Sequence, residues 1–225
     1  LWLQRMTDTA PAPFSAGWTV ADESATETVA DSTRALITAL RRADAPTESL
    51  ERAAALIDEA TALLAPHRVD ATPMQGRLGE GGPIGNEAKE PRVFFPWSPI
   101  IGPLNPLSGD VEFNFANGRT TGRAFLDAQY NGPPGMVHGG IIALLFDELL
   151  GGTNVCNGLG GFTGTLSIRY ERPTWIEHEL ELESWVDRIE GRKVFTAGTI
   201  SINGEVTARA EGIFIMTQGW KSEKP

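Results

Sequence analysis

His138, Gly139 and Gly140 stand in a row at the head of an apolar stretch, and two consecutive carboxylates, Asp147 and Glu148, follow inside it. Glycines at a helix start let another group come close to the backbone. The unpaired N–H groups there, with the positive end of the helix dipole, make a site for a carbonyl oxygen gaining negative charge, as a hydrolase requires. Alone, His-Gly-Gly also fits a plain turn whose histidine is satisfied by the backbone. The carboxylates add to it, because an ionised carboxyl buried without a partner is costly or has its pKa raised. At about 100° per residue, Asp147 falls in line with the small residues Gly140, Ala143 and Gly151, whereas Glu148 falls with Ile141, Leu144 and Leu145. Small neighbours leave room for a ligand beside Asp147.

These residues need an element to hold them. Ile141, Ile142, Leu144, Leu145, Phe146, Leu149 and Leu150 surround the stretch from Gly139 to about Leu150, so the spacing predicts a helix that is apolar on nearly every side and covered over most of its circumference. A curved antiparallel sheet wrapped around one central helix satisfies this. Strand signals flank it. Val111 to Phe115 and Arg119 to Leu126 are joined by Asn117-Gly118; His178 to Val186 alternates with period two; Val194 to Ile202 and Val206 to Met216 are joined by Asn203-Gly204. Ahead of them runs the Pro-punctuated aromatic stretch that starts at Val93. From about Asp22 to Leu64 the pattern is helical, with Val29, Leu36, Ile37 and Leu40 and then Leu50, Ala54, Ile57, Thr61 and Leu64 at three- and four-residue steps, which reads as a helical hairpin broken at Asp44-Ala-Pro-Thr47, with Thr47 as N-cap. Pro66 to Pro91 carries four Pro, five Gly between Gly76 and Gly85 and little apolar content, and reads as a linker. The expected organisation is therefore an N-terminal helical extension over 1–65, a linker over 66–91, an α+β domain over 92–217 and a tail over 218–225.

Composition excludes several classes. Of 225 residues, 41% are hydrophobic and 21% charged, which rules out a disordered or collagen-like chain. Lys plus Arg number 19 against 29 Asp plus Glu, a net charge of -10, so nothing draws the chain toward nucleic acid or anionic lipid. The longest apolar run, Ile141 to Phe146, is far shorter than the ~20 residues that span a bilayer, so no membrane association is expected. One cysteine, Cys156, and three histidines, His67, His138 and His178, offer no metal-ligand spacing and no internal disulfide. No metal or cofactor is expected, and a cytoplasmic protein fits best. Leu1 to Met6 is too short an apolar stretch for a signal peptide, and Met6 reads as a natural start. Cys156 reads as a small filler, His67 and His178 as surface residues, and the six scattered Trp form no stacking platform.

The motifs taken together resemble a known family. Pro133-Pro-Gly-x-Val-His-Gly-Gly, Asp147 nine residues after the His, Thr163 sixteen after the Asp, Tyr170-Glu-Arg-Pro173 and Glu190-Gly-Arg-Lys193 resemble hotdog-fold acyl-CoA thioesterases of the PaaI type, most like the C-terminal modulator protein group. The resemblance runs from about Val93 to Met216 and does not include the helical extension. It implies the hotdog fold and hydrolysis of an acyl-CoA to acid and CoA, with Asp147 activating or orienting the attacking water and Thr163 helping to hold that water. It also implies that the Gly139 N–H polarises the thioester carbonyl beside Gly140, and that His138 braces the turn rather than acting as a base. Where some relatives carry Asn six residues before the His, this chain has Gly132, with Asn131 one position off, so the carbonyl site rests on backbone N–H.

Spacing alone adds a dimer. Gly139 and Asp147 lie roughly 12 Å apart along a helix axis and about 80° around it, too far for one helix to place both on one carbon. Two such helices side by side in opposite directions would bring the oxyanion end of one to the carboxylate of the other, giving a homodimer with shared sites, a tetramer being the further option. For the CoA phosphates, Arg169, Arg172, Arg192 and Lys193 are the candidate cations, although each also reads as a solvated strand-edge charge. Six Lys and Arg face nine Asp and Glu between Thr163 and Thr217, so a phosphate site must be a local cluster. Two other functions compete with hydrolysis: a non-catalytic acyl-CoA-binding regulatory protein on the same fold, and a hydratase, which would need a catalytic His in a different order. The intact Asp147/Thr163 pair argues against the first.

Overall fold

The structure is a computed structural model, and its description covers residues 20–69, 75–76 and 90–216. The first nineteen residues, most of the expected linker and the expected tail over 218–225 lie outside the described residues.

Six antiparallel strands form one sheet in the order β1-β2-β4-β5-β6-β3. Strands β1 (Asp110–Ala116) and β2 (Arg119–Phe125) meet at Asn117-Gly118, and β5 (Lys193–Ile202) and β6 (Glu205–Ile215) meet at Asn203-Gly204. Both residues of each pair have positive φ, between 52° and 76°, the conformation that a two-residue hairpin turn demands and that Asn-Gly supplies with least strain. Strand β4 (Glu179–Glu190) lies between β2 and β5, and β3 (Phe162–Tyr170) closes the far edge. Inside the curve sits the helix that begins at Gly139, packed against all six strands, and Phe146, Leu149 and Leu150 on it are completely buried. Each such side chain contributes about 1.5–3 kcal/mol by leaving water. This is the hotdog arrangement that the all-round apolarity of the helix requires.

The helix runs from Gly139 to Cys156, six residues past its expected end. The Gly151-Gly152 pair does not stop it, because the following turn is fixed from outside: Thr153 Oγ1 donates to Thr120 Oγ1 at 2.8 Å, and Thr196 Oγ1 donates to Asn154 Oδ1 at 2.6 Å, all four residues being buried. Buried side chains satisfied in this way hold a helix that propensity alone would end.

The N-terminal helices are α1 (Glu23–Arg42) and α2 (Thr47–Leu64); a short turn of helix, α3 (Pro91–Phe94), precedes the sheet, and the central helix is α4. Asp22 caps α1 by accepting from Ala25 N. Thr47 is the first residue of α2 and Pro46 its N-cap, with no side-chain cap bond, which corrects the expected Thr47 cap: Pro46 itself, free of an N–H, takes the boundary position. The two N-terminal helices follow one another across the expected break, and α2 buries none of its residues, with Leu50, Ile57 and Leu64 exposed. It is α1 that is anchored, and on the sheet domain rather than on α2. Arg34 Nη1 donates to Asn105 O at 2.7 Å and to Ser108 Oγ at 3.0 Å, and its Nη2 to Pro103 O at 3.2 Å. Arg42 pairs with Asp127 and Glu177.

Part of the expected linker also belongs to the domain. Gly76 is buried against Phe95, and Trp97 N donates to Gln75 O at 3.1 Å. Phe94, Phe95, Ile100 and Ile101 then join the core cluster that holds the inner residues of α4, and Leu104 is buried as well.

Candidate active site

Gly139 starts α4 with His138 as its N-cap, and the His138 side chain does the capping: Nδ1 accepts from Gly140 N at 3.0 Å. An accepting Nδ1 carries no proton, so the neutral ring holds its hydrogen on Nε2. The Gly140 N–H is thereby occupied, which corrects its expected place among substrate-binding groups, and the Gly139 N–H has no partner four residues back within the helix. The loop ahead is tied down residue by residue. His138 N donates to Tyr130 O, Gly132 N to Met136 O and Val137 N to Thr174 O, all at 2.8–2.9 Å. With its amide nitrogen turned toward them, Asn131 donates to Pro133 O and Met136 O. It holds the loop. A Cβ at Gly132 would lie 2.8 Å from His138 Cα, so only glycine permits this close pass of the chain over the cap.

Tyr170 joins this end of the site. Its hydroxyl donates to Gly139 O at 2.9 Å and fixes the first residue of the helix. Sequence reasoning held Tyr170 only as part of a motif and assigned it no role; its place opposite the helix start follows from strand pairing, which local spacing does not reveal.

At the other end, Thr163 Oγ1 donates to Asp147 Oδ1 at 2.8 Å, with both residues partly buried. A bulge makes this contact possible. On β3, Leu166 and Ile168 pack inward, and strict alternation would turn Thr163 away from the helix. Register on β6 slips between Thr163 and Thr165, so Gly164 is the extra residue and Thr163 points in.

The second carboxylate has its own partner. Glu148 is hydrogen bonded with Ser98, a completely buried residue whose Oγ also accepts from Ile100 N and Ile101 N. Burial pushes the Glu148 carboxyl up to about 7, and the neighbouring Asp147 charge adds to the rise, while the Ser98 bond works against it. Ser98 precedes Glu148 by fifty positions, and no sequence signal tied the two together. Burial also pushes the Cys156 thiol up to about 12, which suits a filler and not a nucleophile.

The four candidate cations do not form one cluster. Lys193 and Phe162 both pair with Ile215, which puts Arg192 and Lys193 at the Thr163 end of the sheet. Arg169 and Arg172 belong to the Tyr170 end, roughly 20 Å away at about 3.4 Å per strand residue. Arg172 is further committed to Glu205, with Nε to Oε1 at 3.0 Å, and donates to Val206 O. Among the described residues no group of three or more His, Cys, Asp or Glu could hold a metal ion.

The arrangement thus offers a backbone N–H at the start of α4 and an oriented carboxylate about two turns further along it. Residues 134–208 match the family model of the thioesterase superfamily. A solved crystal structure of a thioesterase superfamily protein aligns with a TM-score of 0.73 and 32% identity, covering 86% of this chain and 92% of that one. Among curated proteins, acyl-coenzyme A thioesterase THEM4 of Bos taurus is 34% identical over 93 residues, and acyl-coenzyme A thioesterase THEM5 of Homo sapiens 30% over 89. These matches take in 40% and 39% of this chain and 38% and 36% of the relatives' lengths.

Proposed function

The chain belongs to the thioesterase superfamily, and on that footing we propose that it hydrolyses acyl-coenzyme A to a free acid and CoA. The observation that carries the proposal is the Thr163–Asp147 hydrogen bond on the helix that opens with Gly139. Asp147 takes a proton from a water that Thr163 and Asp147 hold between them, and the water oxygen attacks the thioester carbon. The carbonyl oxygen becomes an oxyanion at the Gly139 N–H, at the positive end of α4. Collapse breaks the C–S bond. A thiolate with an ordinary pKa of about 8.5 leaves without a strong acid, and the proton held by Asp147 passes to it. His138 stays a cap throughout.

Because Gly139 and Asp147 are eight residues apart on one straight helix, the proposal includes a second copy of the chain, with the partner's Asp147 facing Gly139. Edge strand β3 supports this, since it ends the sheet and leaves Phe162 and Tyr170 about half exposed. The same antiparallel pairing brings Arg169 and Arg172 to the end of the sheet that carries the partner's Arg192 and Lys193. In this reading the split cations meet across the twofold axis and hold the CoA phosphates together. A cytosolic setting is part of the proposal and rests on the lone cysteine.

The test is release of free thiol from a panel of acyl-CoAs from acetyl to palmitoyl, with phenylacetyl and benzoyl included. Turnover of one or more supports the reading. Tight binding with no release from any of them would replace it with a non-catalytic acyl-CoA-binding protein.

A further inference from the structure

Strand β3 meets α4 through two hydroxyls, one near each end of the strand: Thr163 donates to Asp147, and Tyr170 donates to Gly139 O at 2.9 Å. Leu166 and Ile168 pack inward, and the pairing with β6 runs without a slip from Thr165 to Tyr170, so alternation alone carries Tyr170 to the inner face. The ring follows the hydroxyl. A Cβ at Gly139 would lie 3.4 Å from Tyr170 Oη and 3.6 and 3.7 Å from Cζ and Cε1, so the lack of a side chain at 139 lets the phenol come down on the helix start.

That start needs holding. Gly139 and Gly140 are consecutive glycines, which have the most backbone freedom to lose, at a helix end whose first N–H groups have no partner within the helix. The peptide between them is clamped on both sides: its carbonyl, Gly139 O, accepts from Tyr170, and its N–H, on Gly140, donates to His138 Nδ1 at 3.0 Å. His138 O accepts from Ile141 N and Ile142 N at 2.9 and 3.2 Å. Of these contacts, only that of Tyr170 comes from the sheet.

We infer that Tyr170 is a positioning residue for the reaction proposed above: its hydroxyl holds Gly139 so that the Gly139 N–H keeps its aim at the developing oxyanion, as Thr163 holds Asp147. This rests on the acyl-CoA reading. In this role the phenol moves no proton and touches no reacting atom. A Gly139 N–H turned away by fraying still lets the substrate bind through its other parts, but it no longer stabilises charge that appears only in the transition state, so the loss falls on kcat and not on KM.

The experiment compares the full wild-type chain with Tyr170→Phe, which keeps the ring against Gly139 and removes only the hydroxyl at a half-exposed position. It reads hydrogen exchange of the Gly140, Ile141 and Ile142 amides by nuclear magnetic resonance, beside hydrolysis of the acyl-CoA panel. Exchange at these three amides should quicken about two- to tenfold, the worth of one hydrogen bond, while amides of β4 and β5 keep their rates. For an acyl-CoA that the wild type turns over, kcat should fall about ten- to a hundredfold, the scale of a misplaced group, with KM held within about twofold. Thr163→Val, at the other contact, should lower kcat without quickening these amides. Unchanged exchange overturns the inference, and so does faster exchange with kcat intact, which makes the contact a brace of the fold and nothing more. A KM that rises while kcat holds overturns it as well, by making the phenol a substrate contact. Faster exchange in a chain that hydrolyses none of the panel keeps the clamp and overturns the hydrolase. Turnover with unchanged exchange does the reverse.

Discussion

Thr163 Oγ1 donates to Asp147 Oδ1 at 2.8 Å, from a strand to the helix it wraps. That contact occupies one carboxylate oxygen and leaves the other free of it, so in the proposed mechanism the pair orients the base where a lone aspartate would rotate. Asp147→Asn should keep the fold and lower turnover about a hundred- to ten-thousand-fold. Thr163→Val should cost about ten- to a hundredfold, the scale of a misplaced reactant. Steady-state kinetics beside circular dichroism checks both, and equal losses from the two would show that Thr163 does more than orient.

Glu148 supplies a pH signature in stability. Its carboxyl is raised to about 7 in the folded chain against 4.5 for an ordinary glutamate, so folding favours the protonated form. That contribution is complete below about pH 4.5 and is lost as pH rises through 7. Glu148→Gln keeps an acceptor for Ser98 and cannot ionise. It should match the native chain in Tm at pH 4 and exceed it at pH 8. Parallel Tm curves across that window would mean that the carboxyl titrates as it does in water.

Sharing of the site across a dimer is open to a mixing experiment. Asp147→Asn and Gly139→Val are each expected to be inactive, the latter because a side chain at 139 meets Tyr170 Oη at 3.4 Å from its Cβ and crowds the oxyanion donor. In a heterodimer with crossed sites, one site carries both lesions and the other neither, so activity should return toward half of wild type. If native mass measurement shows heterodimers of folded subunits and nothing returns, each site belongs to one subunit.

The anchoring of α1 divides unequally between its two arginines. Arg34 is about four-fifths buried and serves two carbonyls and a hydroxyl, whereas Arg42 pairs at the surface, where solvent screens it. Arg34→Met should cost about 2 kcal/mol in denaturant unfolding, the scale of hydrogen bonds to a charged group. Arg42→Met should cost distinctly less. The reverse order would place the anchor at Asp127 and Glu177.

Patterns of apolar residues and turns were legible from the chain, and contacts between distant polar atoms were not. The central helix shows in its all-round apolarity, and the two Asn-Gly turns show because positive φ leaves few choices of residue. Asp147 stands out by its small neighbours. Thr163 emerges only through resemblance, since the bulge that turns it inward depends on the register with β6. Ser98 and Arg34 leave no periodic trace, because a hydroxyl or guanidinium that serves remote partners can be placed anywhere the tertiary structure delivers it. The end of α4 was misjudged for the same reason: Gly151-Gly152 looks like a stop until Thr120 and Thr196 are brought against the next turn.

Gly164 gives the chain a simple molecular toggle. Were Gly164 to pair with Phe214 in place of Thr163, strict alternation along β3 would turn the Thr163 hydroxyl outward, with Asp147, Gly139 and the other candidate groups unchanged in type and number. A one-residue slip in the pairing of this strand therefore separates a chain that retains only the fold from one that also keeps the Thr163–Asp147 contact. A count of matched residues would not tell the two apart, whereas the identity of the residue paired with Phe214 would.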